Sequence, residues 1–298
     1  MKPELIIILG PTASGKSALA IKLAKKFNGE VISADSRQVY RGLNLASGKI
    51  SKKEMAGIPH HCLDIASLKT RYTVARWKKC AESSIEKILK RGKLSIVVGG
   101  TAFYINALIN TNYIPEIKPN WKLRKILAKK SVNELFKILK KLDPRRAETI
   151  EKDNPRRLIR AIEIIKATGR PVPELKLELR NDFNILILGI NRTTRDLAKR
   201  INKRLAMRLK AGMISEVRKL HASNISWRRL EELGLEPRWI AKYLQNKISK
   251  SEMEDGIARD SHKFVRHQMT WWKKDKKIRW ISLQIQAEKL IRTSAGAG

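Results

Sequence analysis

The chain has 298 residues, 42% of them hydrophobic, so it can bury the core of one large domain or of two modest ones. Its 64 Lys and Arg outnumber its 28 Asp and Glu and give a net charge of +36, which favours a polyanionic partner but also fits a solvated, lysine-rich surface. The apolar runs are far too short for a membrane span, and two cysteines without a CxxC spacing argue against a disulfide framework and a structural zinc site.

The N-terminal part alternates between short apolar runs and helical patterns. The apolar runs predict buried parallel strands at Leu5–Leu9, Val31–Ala34 and Leu94–Val98. Helical spacing of apolar residues predicts helices at Ser17–Phe27 and Tyr72–Lys90. This alternation is typical of an α/β fold, in which helices cover a parallel sheet.

Beyond Thr111 the sequence becomes helical in pattern and strongly basic. Asp143-Pro144, Asn154-Pro155 and Gly169-Arg170-Pro171 interrupt the helical pattern. Phe183–Ile190 is again a strand-like apolar run that returns the chain to the sheet. We therefore predict an α/β core formed by residues 1–115 and 183–298, and an all-helical insertion domain at residues 116–182.

The remaining sequence is predicted to be helical, at Thr194–Ala211, Pro237–Gln245 and Ser251–Trp272. Three features there and earlier have two interpretations each. The arginines at a spacing of four face RNA or solvent, and the paired tryptophans stack on bases or belong to the core. The paired histidines bind a metal or have a structural or substrate-adjacent role, and no cluster of acids and histidines in the sequence supports a metal. These residues are Arg200, Arg204 and Arg208; Trp271 and Trp272; and His60 and His61.

A phosphate-binding loop follows the first predicted strand. The segment GPTASGKS fits G-x-x-x-x-G-K-[ST] and opens a predicted helix, the context that this motif requires. Loop N–H groups and the helix N-terminus bind phosphate oxygens, Lys16 adds a cation, and the Ser17 hydroxyl suits a Mg²⁺ ion. The residues predicted to bind a di- or triphosphate are Gly10, Pro11, Thr12, Ala13, Ser14, Gly15, Lys16 and Ser17.

Such loops are most common in NTPases and kinases, so a kinase acting on a small molecule or on RNA is one alternative. Kinases and NTPases hold magnesium with an acid at the end of another strand, whereas Leu94–Val98 is followed by Gly-Gly-Thr. The nearest acid after a predicted strand is Asp35, which fits a magnesium ligand or a base. A non-catalytic RNA-binding protein with a vestigial loop is a second alternative.

Several segments resemble one family, the tRNA dimethylallyltransferases, in both order and spacing. They are GPTASGKS at 10–17, ISADSRQVYRGLNLASGK at 32–49, GIPHHCLDI at 57–65, VGGTAFYINAL at 98–108, DNPRRLIRA at 153–161 and FVRHQMTWW at 264–272. The resemblance covers nearly the whole chain and is to the short form, without a zinc-finger-like C-terminal extension.

The resemblance implies a P-loop NTPase-like fold and transfer of a dimethylallyl group from dimethylallyl diphosphate, with Mg²⁺, to N6 of the adenosine 3′-adjacent to the anticodon. Lys16, Asp35 and Thr101 would be catalytic, with Asp35 as general base and Thr101 at the mouth of the reaction channel. The implied tRNA contacts are Asp35, Ser36, Arg37, Gln38, Thr101, Arg124, Arg156, Arg157, Leu158, Ile159 and Arg160. The expected partner is the anticodon stem-loop, and the protein is expected to be a cytoplasmic monomer that binds no membrane.

The chain departs from the family pattern in two places. Many members have Gln-Arg where this chain has Arg156-Arg157, so a base-edge contact by an amide would become a contact by a charge. Many members carry Gly-Tyr-Arg or Gly-Tyr-Lys after the last core strand, where this chain has GLEPR at 234–238. Arg229 and Arg238 are both candidates for the role of that arginine.

Overall fold

A computed structural model of the chain describes residues 3–111, 117–174, 179–273 and 275–293, and its centre is a six-stranded parallel sheet. The strands are β1 (Leu5–Leu9), β2 (Gly29–Ala34), β3 (His60–His61), β4 (Leu94–Gly99), β5 (Ile185–Ile190) and β6 (Arg279–Ile281). Their order across the sheet is β3-β2-β4-β1-β5-β6, and each neighbouring pair is parallel. The predicted α/β fold is therefore confirmed.

Helices of the sheet-containing part follow the strands along the chain. They are α1 (Lys16–Lys26), α2 (Lys52–Met55), α3 (Val74–Lys90), α4 (Ala102–Ile109), and, after the insertion, α9 (Thr194–Lys210), α10 (Met213–Ala222), α11 (Trp227–Glu232), α12 (Leu235–Leu244), α13 (Lys250–Trp272) and α14 (Gln284–Thr293). The helices predicted from apolar spacing are observed, with ends shifted by at most two residues. Among the described residues, no helix is both long and apolar enough to cross a membrane.

The central strand β1 is buried along its whole length. Its neighbours β4 and β5 pair with it in register from Leu5 to Leu9, so each residue of β1 has a partner in both neighbouring strands. Alternate side chains of a strand point to opposite faces, and on one face Ile6 and Ile8 pack in a cluster with Leu19 and Leu23 of α1 and Ile291 of α14. A strand that is covered on both faces needs a continuous apolar run, which LIIIL supplies.

The described residues of the insertion, 117–174, contain the helices α5 (Trp121–Leu127), α6 (Val132–Leu142), α7 (Pro144–Thr149) and α8 (Pro155–Thr168). Contacts divide the chain into one unit of Met1–Ile109 with Arg180–Gly298 and a second unit of Asn110–Leu179. The second unit has its own core, in which Leu135 and Leu139 of α6 pack with Leu158 and Ile162 of α8.

Two of the sequence breaks begin helices of this unit. Asp143 caps α7 and accepts a hydrogen bond from the Arg146 N–H at 2.9 Å, and Asn154 caps α8 through the Arg157 N–H at 3.3 Å. A proline follows each cap at the first helical position, where its missing N–H costs no hydrogen bond. Asx-Pro therefore both interrupts the preceding pattern and starts the next helix.

Candidate active site

The phosphate-binding loop lies between β1 and α1, as predicted. Gly10, Ala13 and Gly15 have φ values of +155°, +62° and +94°, so the loop turns sharply before α1 begins. Gly15 is the N-cap of α1 and uses no side chain there, which leaves the first N–H groups of the helix directed toward the loop. This is the geometry that binds phosphate oxygens.

The ammonium group of Lys16 is enclosed by the loop, although the residue as a whole is partly exposed. Its Nζ donates to the carbonyl oxygen of Pro11 at 3.2 Å. Burial lowers the pKa of Lys16 to about 8, the negative charge of Asp35 opposes this shift, and the positive charge of Arg204 adds to it. Lys16 is therefore a cation with weakened hydration, which favours binding of an anion.

Asp35 follows β2 and organises the turn that leaves the sheet. Its Oδ1 accepts hydrogen bonds from the N–H groups of Arg37 at 2.8 Å and Gln38 at 3.3 Å. The N–H of Ser36 donates to Oγ1 of Thr101 at 3.1 Å, and Thr101 lies directly after β4. Because β2 and β4 are neighbouring parallel strands, their carboxyl ends bring Asp35 and Thr101 together.

The glycines that end β4 have a structural explanation. A Cβ at Gly99 would lie 2.1 Å from the Ala34 carbonyl oxygen, and one at Gly100 would lie 2.4 Å from Nε2 of Gln268. Gln268 of α13 donates to the Gly100 carbonyl at 2.8 Å and accepts from the Thr12 N–H at 3.0 Å. Gln268 therefore ties the phosphate-binding loop to the end of β4 through a contact that the sequence analysis did not anticipate.

An open cleft lies at this edge of the sheet, where the phosphate-binding loop, Asp35 and residues of α9 meet. Four cationic and two acidic side chains line it, which leaves an excess of two positive charges. The charged lining residues are Lys16, Arg37, Arg204, Arg208, Asp35 and Glu236. Such a cleft favours a ligand with several negative charges.

Of the arginine stripe on α9, Arg204 and Arg208 line this cleft, whereas Arg200 pairs with Asp196 on the exposed side of the helix at 2.9 Å. Arg208 forms an ion pair with Glu236 at 2.6 Å. The two sequence interpretations, RNA-facing and solvent-facing, did not include a cleft position, because helical spacing alone does not show what packs against a helix face.

Arg229 and Arg238, the two candidates for the arginine of the family's Gly-Tyr-Arg segment, both lie outside the cleft lining. Arg229 donates to the Leu68 carbonyl at 2.8 Å and stacks over the Tyr40 ring, and Arg238 donates to the Glu231 carbonyl at 3.2 Å. Neither is among the residues that line the cleft, but Glu236 is. The segment GLEPR therefore contributes a carboxylate to the cleft.

Ser36, Arg37 and Gln38, which the sequence analysis assigned to tRNA, follow Asp35 and are half-buried. Arg37 is held by the Leu233 carbonyl at 2.8 Å, with its guanidinium 5.8 Å from the centre of the Phe264 ring. Arg37 and Gln38 line the cleft, and contact of the three residues with tRNA stays a prediction.

In the helical unit, two predicted tRNA-contacting arginines are bound internally. Arg124 donates twice to the buried carboxylate of Glu163, both at 2.7 Å, and Arg160 donates to the same carboxylate and to the Ile117 carbonyl at 3.1 Å. Leu158 is fully buried in the core of this unit. The Leu158 side chain packs the helix, so a contact of this residue with tRNA would have to involve its backbone, and that contact stays a prediction.

Arg156 and Arg157 differ from their neighbours because both are exposed at the start of α8. Arg157 pairs with exposed Glu151 at 3.2 Å, and Arg156 has no hydrogen bond or ion pair within the described ranges. Ile159 is half-buried against the helical core. Arg156 is therefore the member of this segment whose charge has no partner among the described residues, and exposed Arg157 would have to leave Glu151 to meet a phosphate.

The paired histidines have different roles. His61 Nε2 bonds to Glu30 Oε2 at 2.7 Å within a network at the sheet edge, and His60 Nδ1 bonds to the Ile58 carbonyl at 2.8 Å while lining the cleft. In the described part of the chain, no group of three or more His, Cys, Asp or Glu side chains has a metal-binding arrangement. His61 therefore has a structural contact and His60 lies beside the cleft, and a substrate-adjacent role of His60 stays a prediction.

The structure also distinguishes the two adjacent tryptophans and brings the two cysteines together. Trp272 is 3% exposed and belongs to the core, whereas Trp271 is 52% exposed. Cys62 and Cys80, distant in sequence, have Sγ atoms 2.7 Å apart. The hydrogen bond between the two thiols, together with burial, raises the pKa of Cys62, and the same hydrogen bond lowers the pKa of Cys80; no local sequence motif indicates this proximity.

Comparisons with known proteins agree on one family. The profile described as IPP transferase matches residues 38–275. A tRNA dimethylallyltransferase of Acetivibrio thermocellus is 38% identical over 94% of this chain and 91% of its own length. The crystal structure of a tRNA isopentenylpyrophosphate transferase from Bacillus halodurans is similar with a TM-score of 0.72 and 33% identity, covering 99% of this chain and 96% of that one.

A third similarity is to the structure of a eukaryotic dimethylallyltransferase acting on tRNA. It has a TM-score of 0.78 and 27% identity, and it covers 98% of this chain and 77% of that one. These similarities favour the prenyl-transfer interpretation over the kinase alternative.

Proposed function

The chain belongs to the IPP transferase family of tRNA dimethylallyltransferases, and we propose that it moves the dimethylallyl group of dimethylallyl diphosphate onto N6 of the adenosine 3′-adjacent to a tRNA anticodon. The observation that supports this most directly is the cleft lined by Lys16 and Asp35, in which Thr101 holds the turn that follows Asp35. A loop that binds diphosphate and a nearby carboxylate suit a group transfer in which diphosphate is the leaving group.

The donor is activated at its leaving group. Breaking the allylic C–O bond leaves a resonance-stabilised cation on carbon and puts the electron pair on the diphosphate. The first N–H groups of α1 and the ammonium of Lys16 face that growing negative charge. Preorganised donors of this kind stabilise the transition state without reorganising during the reaction.

Asp35 is the proposed base for the adenine amine. The amine is a weak nucleophile because its lone pair is delocalised into the ring, so removal of its proton as the C–N bond forms assists the transfer. Oδ1 of Asp35 is fixed by two backbone N–H groups, whereas Oδ2 has no donor among the residues described. That second oxygen is available to accept the proton.

Thr101 is proposed to position the turn that carries this carboxylate. Its Oγ1 accepts the N–H of Ser36, the residue after Asp35, at 3.1 Å. A shift at Thr101 would therefore displace the base relative to the phosphate-binding loop.

The residues present also fit a Mg²⁺ ion. Ser17 and Asp35 both line the cleft and offer hard oxygen atoms, and Mg²⁺ takes most of its remaining ligands from substrate phosphates and water. When bound, the ion would neutralise diphosphate charge. Ser17 would be its proposed protein ligand.

Recognition of tRNA is proposed to involve exposed Arg156 and Arg157 of the helical unit, with exposed Trp271 available for stacking. The target base must leave its stack to reach a cleft, and proteins read RNA mainly in single-stranded loops such as the anticodon loop.

The test is incubation of the purified chain with unmodified tRNA, Mg²⁺ and radiolabelled dimethylallyl diphosphate. Label is expected in the tRNA with the wild type, with the rate lowered by about 10² to 10⁴ in Asp35→Ala. Asp196→Asn, which changes an exposed carboxylate of α9, is the matched control and is expected to react at the wild-type rate. Absence of label in any tRNA, together with transfer of the γ-phosphate of labelled ATP, would refute the proposal.

A further inference from the structure

The two cysteines of the chain meet beside the cleft, although they are 18 positions apart in sequence. In sequence Cys62 lies between His60 and Leu63, which both line the cleft, and Cys80 lies near the middle of α3. The Sγ atoms of the two cysteines are 2.7 Å apart, and a disulfide bond is about 2.05 Å long. Because the chain has 2 cysteines, a disulfide within one copy can only join this pair.

Both cysteines are carried by backbone with a fixed conformation. Cys62 has a φ of +59°, in the left-handed region, which is strained for a residue with a side chain and persists where the surroundings enforce it. The N–H of Asp64 donates to the Gln38 carbonyl at 3.2 Å, so the chain just after Cys62 is held by the turn that follows β2. On α3, the indole N–H of Trp77 donates to the Ser33 carbonyl of β2 at 2.9 Å. The two sulfur atoms are therefore held in contact by segments that are each anchored to β2 or to the turn after it.

The two thiols differ in exposure and in acidity. Cys62 is 3% exposed, whereas Cys80 is half-buried and keeps partial contact with solvent. The hydrogen bond from Cys62 lowers the pKa of Cys80, burial opposes this effect, and the positive charge of Lys87 adds to it. The same hydrogen bond, together with burial, raises the pKa of Cys62. Since the thiolate is the reactive form of cysteine, Cys80 is the residue that an oxidant attacks first.

We propose that Cys62 and Cys80 form a redox-modification site, at which hydrogen peroxide converts the two thiols into a disulfide that stabilises the fold. The Cys80 thiolate attacks one peroxide oxygen, the O–O bond breaks, and the released hydroxide takes a proton to become water, which leaves Cys80 as a sulfenic acid. The sulfur of Cys62 then attacks the sulfur of Cys80, the S–O bond breaks, and hydroxide leaves as water with the Cys62 proton. In sum, the thiols lose two electrons and two protons, and the peroxide is reduced to two molecules of water.

The buried partner determines the outcome of oxidation at Cys80. A sulfenic acid without a nearby thiol is oxidised further to sulfinic acid, which thiol reductants do not reverse, whereas a thiol in contact with it converts it to a reducible disulfide. The bond would also close the loop from Cys62 to Cys80 and restrict the unfolded chain, which stabilises the folded state. The site is independent of prenyl transfer, because neither cysteine is among the residues that line the cleft.

The test is oxidation of the reduced full chain with equimolar hydrogen peroxide, followed by alkylation of free thiols in denaturant and mass spectrometry of the peptides that contain the two cysteines. In the wild type, both thiols are expected to escape alkylation, and the two peptides to be joined with the loss of two hydrogen atoms. Dithiothreitol is expected to restore both thiols. The Tm of the oxidised chain is expected to be higher by about 5 °C, the effect of closing a loop of this length.

Two single variants separate the roles of the cysteines. Cys80→Ser is expected to keep Cys62 reduced and open to alkylation after unfolding, because the remaining thiol is buried. With excess peroxide, Cys62→Ala is expected to gain two oxygen atoms at Cys80 that dithiothreitol does not remove. The wild-type and Cys80→Ser results do not depend on the folding of Cys62→Ala.

Three results in the wild type would each overturn the proposal: thiols that stay free after oxidation, a disulfide that joins two copies of the chain, or a Tm that does not rise. Loss of the Cys62 thiol in Cys80→Ser as fast as in the wild type would overturn the assignment of Cys80 as the residue attacked first.

Discussion

Individual residues of the cleft are explained by contacts that lie far apart in sequence. Gly99 and Gly100 allow close approach of the Ala34 carbonyl and of Gln268, and Gln268 also holds the Thr12 N–H. The absence of an acid directly after β4 is therefore linked to a packing requirement, and one of the two acidic residues of the cleft, Asp35, follows the neighbouring strand β2.

The ionisation of Lys16 predicts a pH dependence. Since its pKa is about 8, Lys16 is charged below pH 8 and loses its charge as the pH rises through that value. The kcat/KM for dimethylallyl diphosphate is therefore expected to decline above about pH 8. The measurement is a pH profile of initial rates at low donor concentration.

Lys16→Arg supplies the control for this profile, because an arginine stays protonated throughout the range. Whatever its absolute rate, this variant is expected to show no decline near pH 8. The same decline in both proteins would mean that another group, or the donor itself, controls the profile.

At the scale of single elements, β1 is held centrally by an uninterrupted apolar run, while the edge strand β3 depends on a polar network. The carboxylate of Glu30 on β2 bonds to His61 of β3 at 2.7 Å, Arg91 at 2.8 Å and Lys93 at 3.0 Å. Burial alone would raise the pKa of Glu30, but the hydrogen bonds from His61, Lys93 and Arg91 lower it to about 2. The two-residue strand β3 is thus held against β2 by side-chain hydrogen bonds as well as by backbone pairing.

Removing this charge is expected to destabilise the sheet edge. Glu30→Gln should lower the free energy of unfolding by about 2 kcal/mol at pH 7, less than for a fully buried pair because its three partners are partly exposed. The stabilisation is present above pH 4.5, the ordinary pKa of Glu, and is lost as the pH falls through about 2. The measurement is urea unfolding at neutral and acidic pH.

The matched control is Glu86→Gln on the exposed face of α3, which is expected to change the free energy of unfolding by no more than about 0.5 kcal/mol. Equal effects of the two substitutions at pH 7, or a Glu30→Gln effect that is the same at pH 7 and pH 2, would contradict the assigned role of Glu30.

At the scale of the whole molecule, the residues that make up the net charge of +36 have different roles. Arginines such as Arg124 and Arg160 neutralise the buried Glu163 within the helical unit, so they maintain its fold. Arg156 is exposed and unpaired among the described residues, so its charge remains available to a polyanion. Total charge therefore overstates the number of residues that can contact RNA.

This difference predicts how tRNA affinity responds to salt. Arg156→Gln is expected to weaken tRNA binding and to reduce the slope of log K against log salt by about 1, because one phosphate contact is lost. Lys166→Gln, at the exposed far end of the same helix, is the control and is expected to leave the slope unchanged. The measurement is filter binding of unmodified tRNA over a series of salt concentrations, and equal slopes for Arg156→Gln and the wild type would exclude this contact.

The sequence by itself determined the elements whose signal is local. The apolar runs and helical spacing gave the strands of the central sheet and the long helices, and GPTASGKS gave the phosphate-binding loop, because each depends on residues that are adjacent in the chain. Short β3 and β6 were missed, since two or three residues show no period and form strands only when a neighbouring strand pairs with them.

Only the tertiary structure decided which side chains share the cleft. Arg204 and Arg208 lie on α9 and Glu236 lies on α12, and the sequence offered no reason to prefer them over Arg229 or Arg238. Likewise, it could not separate Trp271 from buried Trp272, or bring Cys62 to Cys80. The physical reason is the same in each case: local pattern fixes the conformation of a segment, whereas the packing of segments against one another decides which of their faces meet.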